Sequence, residues 1–308
     1  MKTKKFDFYD TTCLKSYNLD KIIRYQLNLL DTLDVYTRQH SENVASITCR
    51  LCKYLHLNKN FTIYCTTSAY LHDIGKLFVP SEILQKPGSL TDKEYDIMKN
   101  HTINGYNLCI KDLKLRPYAK VALDHHESLN GSGYPNGLKL KEIPIEAQIV
   151  RVADEFDAIV SKRQYKSHID ISEALKMMIS NTKPINKYSK NVHERVGNIN
   201  KFIVKKLIKV VLEDVLLEIY YTEDYVQKLK IELDRFKQIE KYKEKMDKAQ
   251  KEKDKNYYLH GITLLLKKDE TLENYQEMYN EYKEAYKTRK EMINKLYDEI
   301  KIIKKLRV

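Results

Sequence analysis

Residues 71–76 read LHDIGK and put a histidine, His72, directly before an aspartate, Asp73. The pair follows the apolar run SAYL at 68–71 and precedes Gly75. We therefore expect it near the end of a helix that points into the core. Neighbouring residues of a helix diverge by about 100°. His72 can then face one metal ion while the carboxylate of Asp73 reaches two.

Further histidines and acids of the same kind lie on both sides of this pair. They are His40, His101, the doublet His125-His126 and Asp154. Neutral imidazoles and carboxylates are ligands for divalent iron, manganese and zinc. A lone histidine is more often packed or exposed than a ligand, but these stand beside other unusual signals. HHE at 125–127 leads into GSGYP at 131–135, and Asp154 lies within RVADEFDAI at 151–159. Together they predict a buried metal site.

Apolar residues recur at helical spacing along most of the chain, and no sustained alternation of period two is present. This pattern predicts an all-α fold. The predicted helices cover 18–33, 41–57, 146–161, 171–180 and 199–219. The segment 127–145 is rich in turn formers, so we expect a loop there.

The C-terminal part of the sequence has a different composition. Lys/Glu-rich helical stretches cover 224–255 and 270–307, with NYYLHGITLLL at 256–266 between them. Their spacing is typical of a helical hairpin or a coiled coil. We expect 256–266 to form a buried turn, and the long helices to mediate homodimerisation.

The 308 residues carry a formal net charge of +12, and the larger part of the excess lies after residue 180. There the basic residues alternate with acids, which favours a solvated helical face over a DNA or RNA interface. No run approaches the ~18 apolar residues of a membrane span. No apolar segment of a signal peptide follows the basic start MKTKKFDFYD. We therefore expect a cytoplasmic protein with neither nucleic acid nor membrane as a partner.

Taken in order, the motifs resemble those of the HD-GYP family, a branch of the HD phosphohydrolase superfamily. The resemblance covers about residues 30–180 and rests on five segments: LHDIGK, LQKPGSLTDKEYDIMKNH at 84–101, HHESLNGSGYPNGL at 125–138, IP at 143–144 and RVADEFDAIVSKRQYK at 151–166. It implies an all-α HD-GYP helical bundle, followed here by the long-helix appendage. The expected domains are an N-terminal segment at 1–17, the catalytic domain at 18–219 and the helical region at 220–308.

The resemblance also implies a metal-ligand set. The matching residues are His72, Asp73, His101, His125, His126 and Asp154, with Asp73 as the bridging carboxylate. His40 matches a further histidine that serves a third ion in some members. Those members carry Glu four residues earlier, where this chain has Tyr36. We therefore expect two divalent ions, iron or manganese, with His40 as a weak ligand or as a group behind the ligands.

Further residues match substrate contacts and supporting positions of the family. Lys76 matches a lysine that contacts the scissile phosphate, and Arg163 and Lys166 match a basic pair that holds phosphate and guanine. We expect the loop Gly133-Tyr134-Pro135 to pack near the site and Glu127 to orient the imidazoles. The Gly-Phe-Asp-Pro segment of the family is absent from 181–190, which carries TKPINKYSK instead after Asn181.

The implied activity is hydrolysis of cyclic di-GMP, a bacterial second messenger, to pGpG and in some members to GMP. A metal-activated hydroxide would attack phosphorus as the ribose 3′-oxygen departs. Two alternatives stay open. The chain could hydrolyse another cyclic dinucleotide or a nucleotide phosphate, or it could be a non-catalytic cyclic di-GMP sensor or scaffold.

Overall fold

The computed structural model describes residues 35–161 and 170–308. Within these ranges the regular structure is helical, and one isolated antiparallel bridge joins Asn130 to Lys139. The all-α prediction is thereby confirmed. Among the described residues, no helix combines the length and the apolar character that crossing a membrane requires.

Eight helices precede the long C-terminal ones in the described ranges. They are α1 (Val35–Tyr54), α2 (Lys59–Leu71), α3 (Ser81–Leu84), α4 (Asp92–Lys99), α5 (His101–Lys111), α6 (Ala119–Asp124), α7 (Ile145–Val160) and α8 (Ile171–Asn181). Short 3-10 turns lie at Ile74–Phe78, Arg116–Tyr118, Leu140–Glu142 and Val192–Arg195. The predicted helices at 41–57, 146–161 and 171–180 are confirmed, and the prediction at 18–33 lies outside the described residues.

Helix α1 packs against α2 and α7, and α5 packs against α6 and the 3-10 turn that follows α2. Buried apolar side chains from α2 and from the segments beyond it form one core cluster: Leu71, Ile74, Cys109, Leu115 and Ala119. Gly75 permits the closest approach, because a Cβ built there would lie 1.9 Å from the carbonyl oxygen of His101. The start of α5 is thereby held directly against the 3-10 turn that follows α2.

The long helices are α9 (Lys201–Lys248), α10 (Glu252–Leu265) and α11 (Tyr275–Ile303). By compactness the described chain divides into two units: one ends at Val211 and includes Lys305–Val308, and the other is Leu212–Lys304. The second unit has its own core of Leu233, Phe236, Ile239, Ile262, Tyr275 and Tyr279.

Two predictions for this region were wrong. The stretches 199–219 and 224–255 lie mostly within one continuous helix of 48 residues, because no Gly or Pro interrupts residues 220–223. The segment 256–266 is not a turn, since nearly all of it belongs to α10. The helix breaks fall at 249–251 and 266–274 instead. The pairs Phe236–Tyr279 and Glu223–Tyr297 show that α9 and α11 run antiparallel, as in the expected hairpin, with α10 between them in the sequence.

Candidate metal centre

Asp73 lies at the centre of a buried group of histidines. Its carboxylate oxygens face opposite sides. Oδ1 is 3.4 Å from Nε2 of His101 and 3.9 Å from Nε2 of His125. Oδ2 is 3.2 Å from Nε2 of His72 and 3.7 Å from Nε2 of His40. The two oxygens of one carboxylate thus face two sets of imidazoles.

The chain places these residues where helices begin and end. Helix α2 ends at Leu71, so His72 caps it and Asp73 opens the next 3-10 turn. His101 is the first residue of α5, and His125 is the C-cap of α6.

Backbone carbonyls orient three of the imidazoles. Nδ1 of His72 donates to Ala69, that of His101 to Met98 and that of His125 to Ala122, over 2.6, 2.7 and 3.1 Å. A ring that donates from Nδ1 carries its lone pair on Nε2. All three lone pairs are therefore directed at Asp73. Glu127 was the expected orienting group, and that prediction was wrong.

The cluster fits a metal ion. Nε2 of His72 and Oδ1 of Asp73 are buried and have no hydrogen-bond partner, which is rare for native polar groups. Nε2 of His101 and Nε2 of His125 lie only 3.3 Å apart, although neither carries a proton in this tautomer. A cation satisfies such facing lone pairs. Two sets of donor atoms, each within 4.8 Å, have the geometry for it: Asp73, His101, His125 and His126, and His40, His72 and Asp73.

Asp154, on α7, closes the cluster. Its Oδ1 is 3.0 Å from Nε2 of His40 and 3.8 Å from Nε2 of His72, and its Oδ2 is 3.8 Å from Nδ1 of His126. Asp157, one turn further along α7, binds the other side of the His40 ring, with 2.7 Å between Oδ2 and Nδ1. His40 is thus a full member of the cluster, held between two carboxylates.

The protonation states of His101, His125, His126 and Asp154 suit metal binding, which requires neutral imidazoles and ionised carboxylates. Burial lowers the pKa of His101 and His125, and it lowers that of His126 to about 3. For Asp154, burial favours the neutral acid, but the hydrogen bond with His40 and the neighbouring imidazoles outweigh it and hold the pKa well below the usual range.

His40 lies among carboxylates that favour its positively charged form. Burial lowers its pKa, yet the hydrogen bonds with Asp154 and Asp157 and the nearby carboxylate of Asp73 raise the net pKa to about 9.

Lys76 and the loop around Tyr134 border the cluster. Nζ of Lys76 donates to Oδ2 of Asp73 over 2.5 Å. The Tyr134 ring stacks on His126 with 4.7 Å between ring centroids, which confirms that this loop packs near the site. Glu127 holds the loop, because its carboxylate accepts the backbone N–H groups of Asn136 and Leu138 over 2.6 and 2.9 Å.

Gly131 and Gly133 serve this loop in different ways. Gly131 has φ +82°, a conformation that favours glycine. Gly133 is required for space instead, since a Cβ there would lie 2.3 Å from the backbone nitrogen of Ser128.

Some residues of the predicted site are not among the described residues. Arg163 and Lys166 lie outside them, as does the side chain of Tyr36. Sequence reasoning missed Asp157. A signal for it was present, because Asp157 lies one helical turn from Asp154 on the amphipathic helix RVADEFDAI.

Comparison with known proteins identifies a family that includes this part of the chain. The HD domain family model matches residues 24–191. A cyclic di-GMP phosphodiesterase of Thermotoga maritima is 43% identical over 153 residues, which are 49% of this chain and 42% of that protein. A 3′3′-cGAMP-specific phosphodiesterase of Vibrio cholerae is 36% identical over 50% of this chain and 33% of its own length. The chain spans less than half the length of these relatives.

Among solved structures, an HDG"Y"P protein from Bdellovibrio bacteriovorus aligns with a TM-score of 0.44 and 22% identity over 56% of this chain and 51% of that one.

A helical domain with a buried His/Asp cluster on the LHDIGK motif defines a divalent-metal-binding HD domain, and the chain belongs to the HD domain family. Its ordered motifs place it in the HD-GYP branch, as the sequence predicted.

Proposed function

We propose that the chain is a metal-dependent phosphodiesterase that hydrolyses cyclic di-GMP to pGpG, and further to GMP if the product binds again. The observation that carries this proposal is the Asp73 carboxylate, whose two oxygens face two separate sets of imidazoles. Relatives of Thermotoga maritima at 43% identity and Pseudomonas aeruginosa at 37% identity, both named cyclic di-GMP phosphodiesterases, support the substrate.

The proposed metal ligands are His72, Asp73, His101, His125, His126 and Asp154, with His40 in the set that contains His72. Two divalent ions, iron or manganese, suit this mixture of nitrogen and oxygen donors. Bound there, such ions supply positive charge for the phosphoryl oxygens and lower the pKa of water.

The side chains of the protein supply the remaining functions. Lys76 holds its ammonium at the edge of the cluster through Asp73, where it can offset charge on a scissile phosphate. Asp157 fixes the ring of His40, and Glu127 fixes the loop that presses Tyr134 onto His126. Arg163 and Lys166 remain proposed contacts for phosphate and guanine.

A second substrate class has its own support. Three relatives of Vibrio cholerae named 3′3′-cGAMP-specific phosphodiesterases are 34–37% identical to this chain. Parallel time courses of the manganese- or iron-loaded chain with cyclic di-GMP, 3′3′-cGAMP and a linear nucleotide phosphate separate these activities. Cyclic di-GMP should have the highest kcat/KM. A higher kcat/KM for another substrate would identify that compound as the substrate in place of cyclic di-GMP.

The non-catalytic alternative is tested on the same samples. Calorimetry measures binding of cyclic di-GMP by the metal-loaded chain while chromatography follows product. Binding without cleavage would identify a sensor or scaffold. We expect binding together with the appearance of pGpG.

Assembly and domain organisation are proposals as well. We propose a cytoplasmic homodimer joined through the helices of region 220–308, next to a catalytic domain at 18–219. Sedimentation of the full chain and of a chain that ends near residue 220 tests this. A shorter chain with an unchanged oligomeric state would contradict it.

A further inference from the structure

The cluster opens to solvent on one side. His72 and His125 are fully buried, and His101 and Asp73 are nearly so. The His126 side chain is 24% exposed. Asp154, which lies 3.8 Å from His126, is 11% exposed and is the next most open of the proposed ligands. Among the described residues, His126 and Asp154 thus form the most exposed edge of the proposed ligand set, and we call this edge the mouth of the site.

Arg151 lies beside the mouth. It precedes Asp154 by three residues on α7, so the two share one helical face. Helical side chains lean towards the N-terminus, which directs the Asp154 carboxylate back over the turn that carries Arg151. The Arg151 cation is also close enough to His126 and Tyr134 to act electrostatically on both.

The guanidinium of Arg151 has unused donors. Its Nε is buried without a hydrogen-bond partner, and its ion pair is a loose one, 3.8 Å from Nη2 to Oε2 of Glu155. The other oxygen of Glu155 accepts a bond from Asn181. Lys76, by contrast, is bound closely to Asp73. Arg151 is thus a cation at the mouth that no hydrogen bond within the described residues satisfies.

We propose that Arg151 binds a phosphate group of the substrate at the mouth, distinct from the phosphate that reacts at the His/Asp cluster. The planar guanidinium fork matches phosphate oxygens and is the side chain best suited to such a contact. A cyclic dinucleotide carries two phosphodiester groups, so one can lie at the cluster while Arg151 holds the other. This inference rests on the proposed function and assigns to Arg151 the recognition of a two-phosphate substrate.

The test compares a substrate that has two phosphates with one that has a single phosphate. Arg151→Gln is assayed on cyclic di-GMP and on bis(p-nitrophenyl) phosphate. For cyclic di-GMP, KM and the calorimetric Kd should rise about tenfold or more, the usual effect of losing a charged hydrogen bond. For bis(p-nitrophenyl) phosphate, kcat and KM should stay within about twofold of wild type. Metal content, measured by elemental analysis, should not change.

Two further variants define the cause. Lys176→Gln removes the same charge from α8, where Lys176 is exposed and pairs with Glu173, and should leave both substrates unaffected. Arg151→Lys keeps the charge without the fork and should recover part of the affinity.

The outcomes separate this inference from the proposed function. An equal loss on both substrates, a loss of metal, or no change on either substrate would overturn the role of Arg151. A wild-type chain that binds cyclic di-GMP without cleaving it would overturn the proposed function only, because the Kd ratio of Arg151→Gln to wild type still decides the inference. A wild-type chain that neither binds nor cleaves cyclic di-GMP would overturn both.

Discussion

Nδ1 of His40 lies 2.7 Å from Oδ2 of Asp157, although 117 residues separate the two in the sequence. Both side chains are buried. Because the ring is held from Nδ1, its Nε2 is directed at Asp154 and Asp73. This contact joins α1 to α7 and makes His40 part of the cluster.

Replacement of Asp157 should weaken metal binding. Asp157→Ala removes the acceptor behind His40, and loss of such a partner lowers metal affinity by about 10–100-fold. Asp157→Asn keeps an acceptor oxygen and should lose less. Elemental analysis after dialysis against graded chelator measures the change. Asp96→Ala, which removes an exposed carboxylate from α4, is the control, and equal metal content in Asp157→Ala and this control would contradict the account.

Glu127→Gln should loosen the loop of Tyr134. The carboxylate accepts two backbone N–H groups, from Asn136 and Leu138, and an amide offers one oxygen for them. An unsatisfied buried donor costs about 1–3 kcal/mol. Hydrogen exchange of peptides that cover 134–138 should therefore speed up, with a loss of turnover. Glu173→Gln changes an exposed acid on α8 and should do neither; unchanged exchange in Glu127→Gln would refute the loop-holding role.

Gly75→Ala should displace His101. The added Cβ would meet the carbonyl oxygen of His101 at 1.9 Å and the nitrogen of Gly105 at 2.4 Å, and backbone atoms cannot turn away. We expect a stability loss of about 1–3 kcal/mol or more, together with a loss of metal. Gly88→Ala is the comparison, since no atom lies within 4 Å of its added Cβ and the cost there is the strain of φ +105°. A Gly75→Ala chain that folds and keeps its full metal content would contradict this prediction.

The helical region contains an acid whose contribution depends on pH. Arg235 binds both oxygens of Glu270, over 2.5 and 2.6 Å. Burial raises the pKa of Glu270, but the bonds with Arg235 and with the backbone of Lys267 outweigh it, so the net pKa is lowered. Stability from a lowered carboxyl pKa is present above the ordinary value of about 4.3 and disappears as pH falls through the folded-state value.

Glu270→Gln should therefore lower the urea midpoint of the full chain at pH 7 and have less effect at pH 3. Far-UV circular dichroism at both pH values measures the difference. Glu273→Gln replaces a nearby exposed acid and controls for the change of net charge. An effect of Glu270→Gln that is equal at the two pH values would contradict the assigned contribution.

Much of the metal site could be predicted from the sequence because its ligands stand in short motifs with unusual neighbours. LHDIGK and HHE already indicated that His72, Asp73, His125 and His126 share a site. The roles of Glu127 and Asp157 depended on which backbone segments meet in three dimensions. The continuity of helix α9 could not be predicted for another reason: residues 220–223, YYTE, contain no Gly or Pro, so the sequence does not indicate whether the helix continues or ends there.

The central claim is that the Asp73 cluster cleaves cyclic di-GMP. Its most direct test is a product time course of the manganese- or iron-loaded full chain with cyclic di-GMP, beside the variant that combines His72→Ala with Asp73→Ala. We predict pGpG from the wild type, and from the variant neither product nor a full complement of metal. Wild-type protein that holds its metal and yields no product, or a variant that cleaves as fast as wild type, would contradict the account.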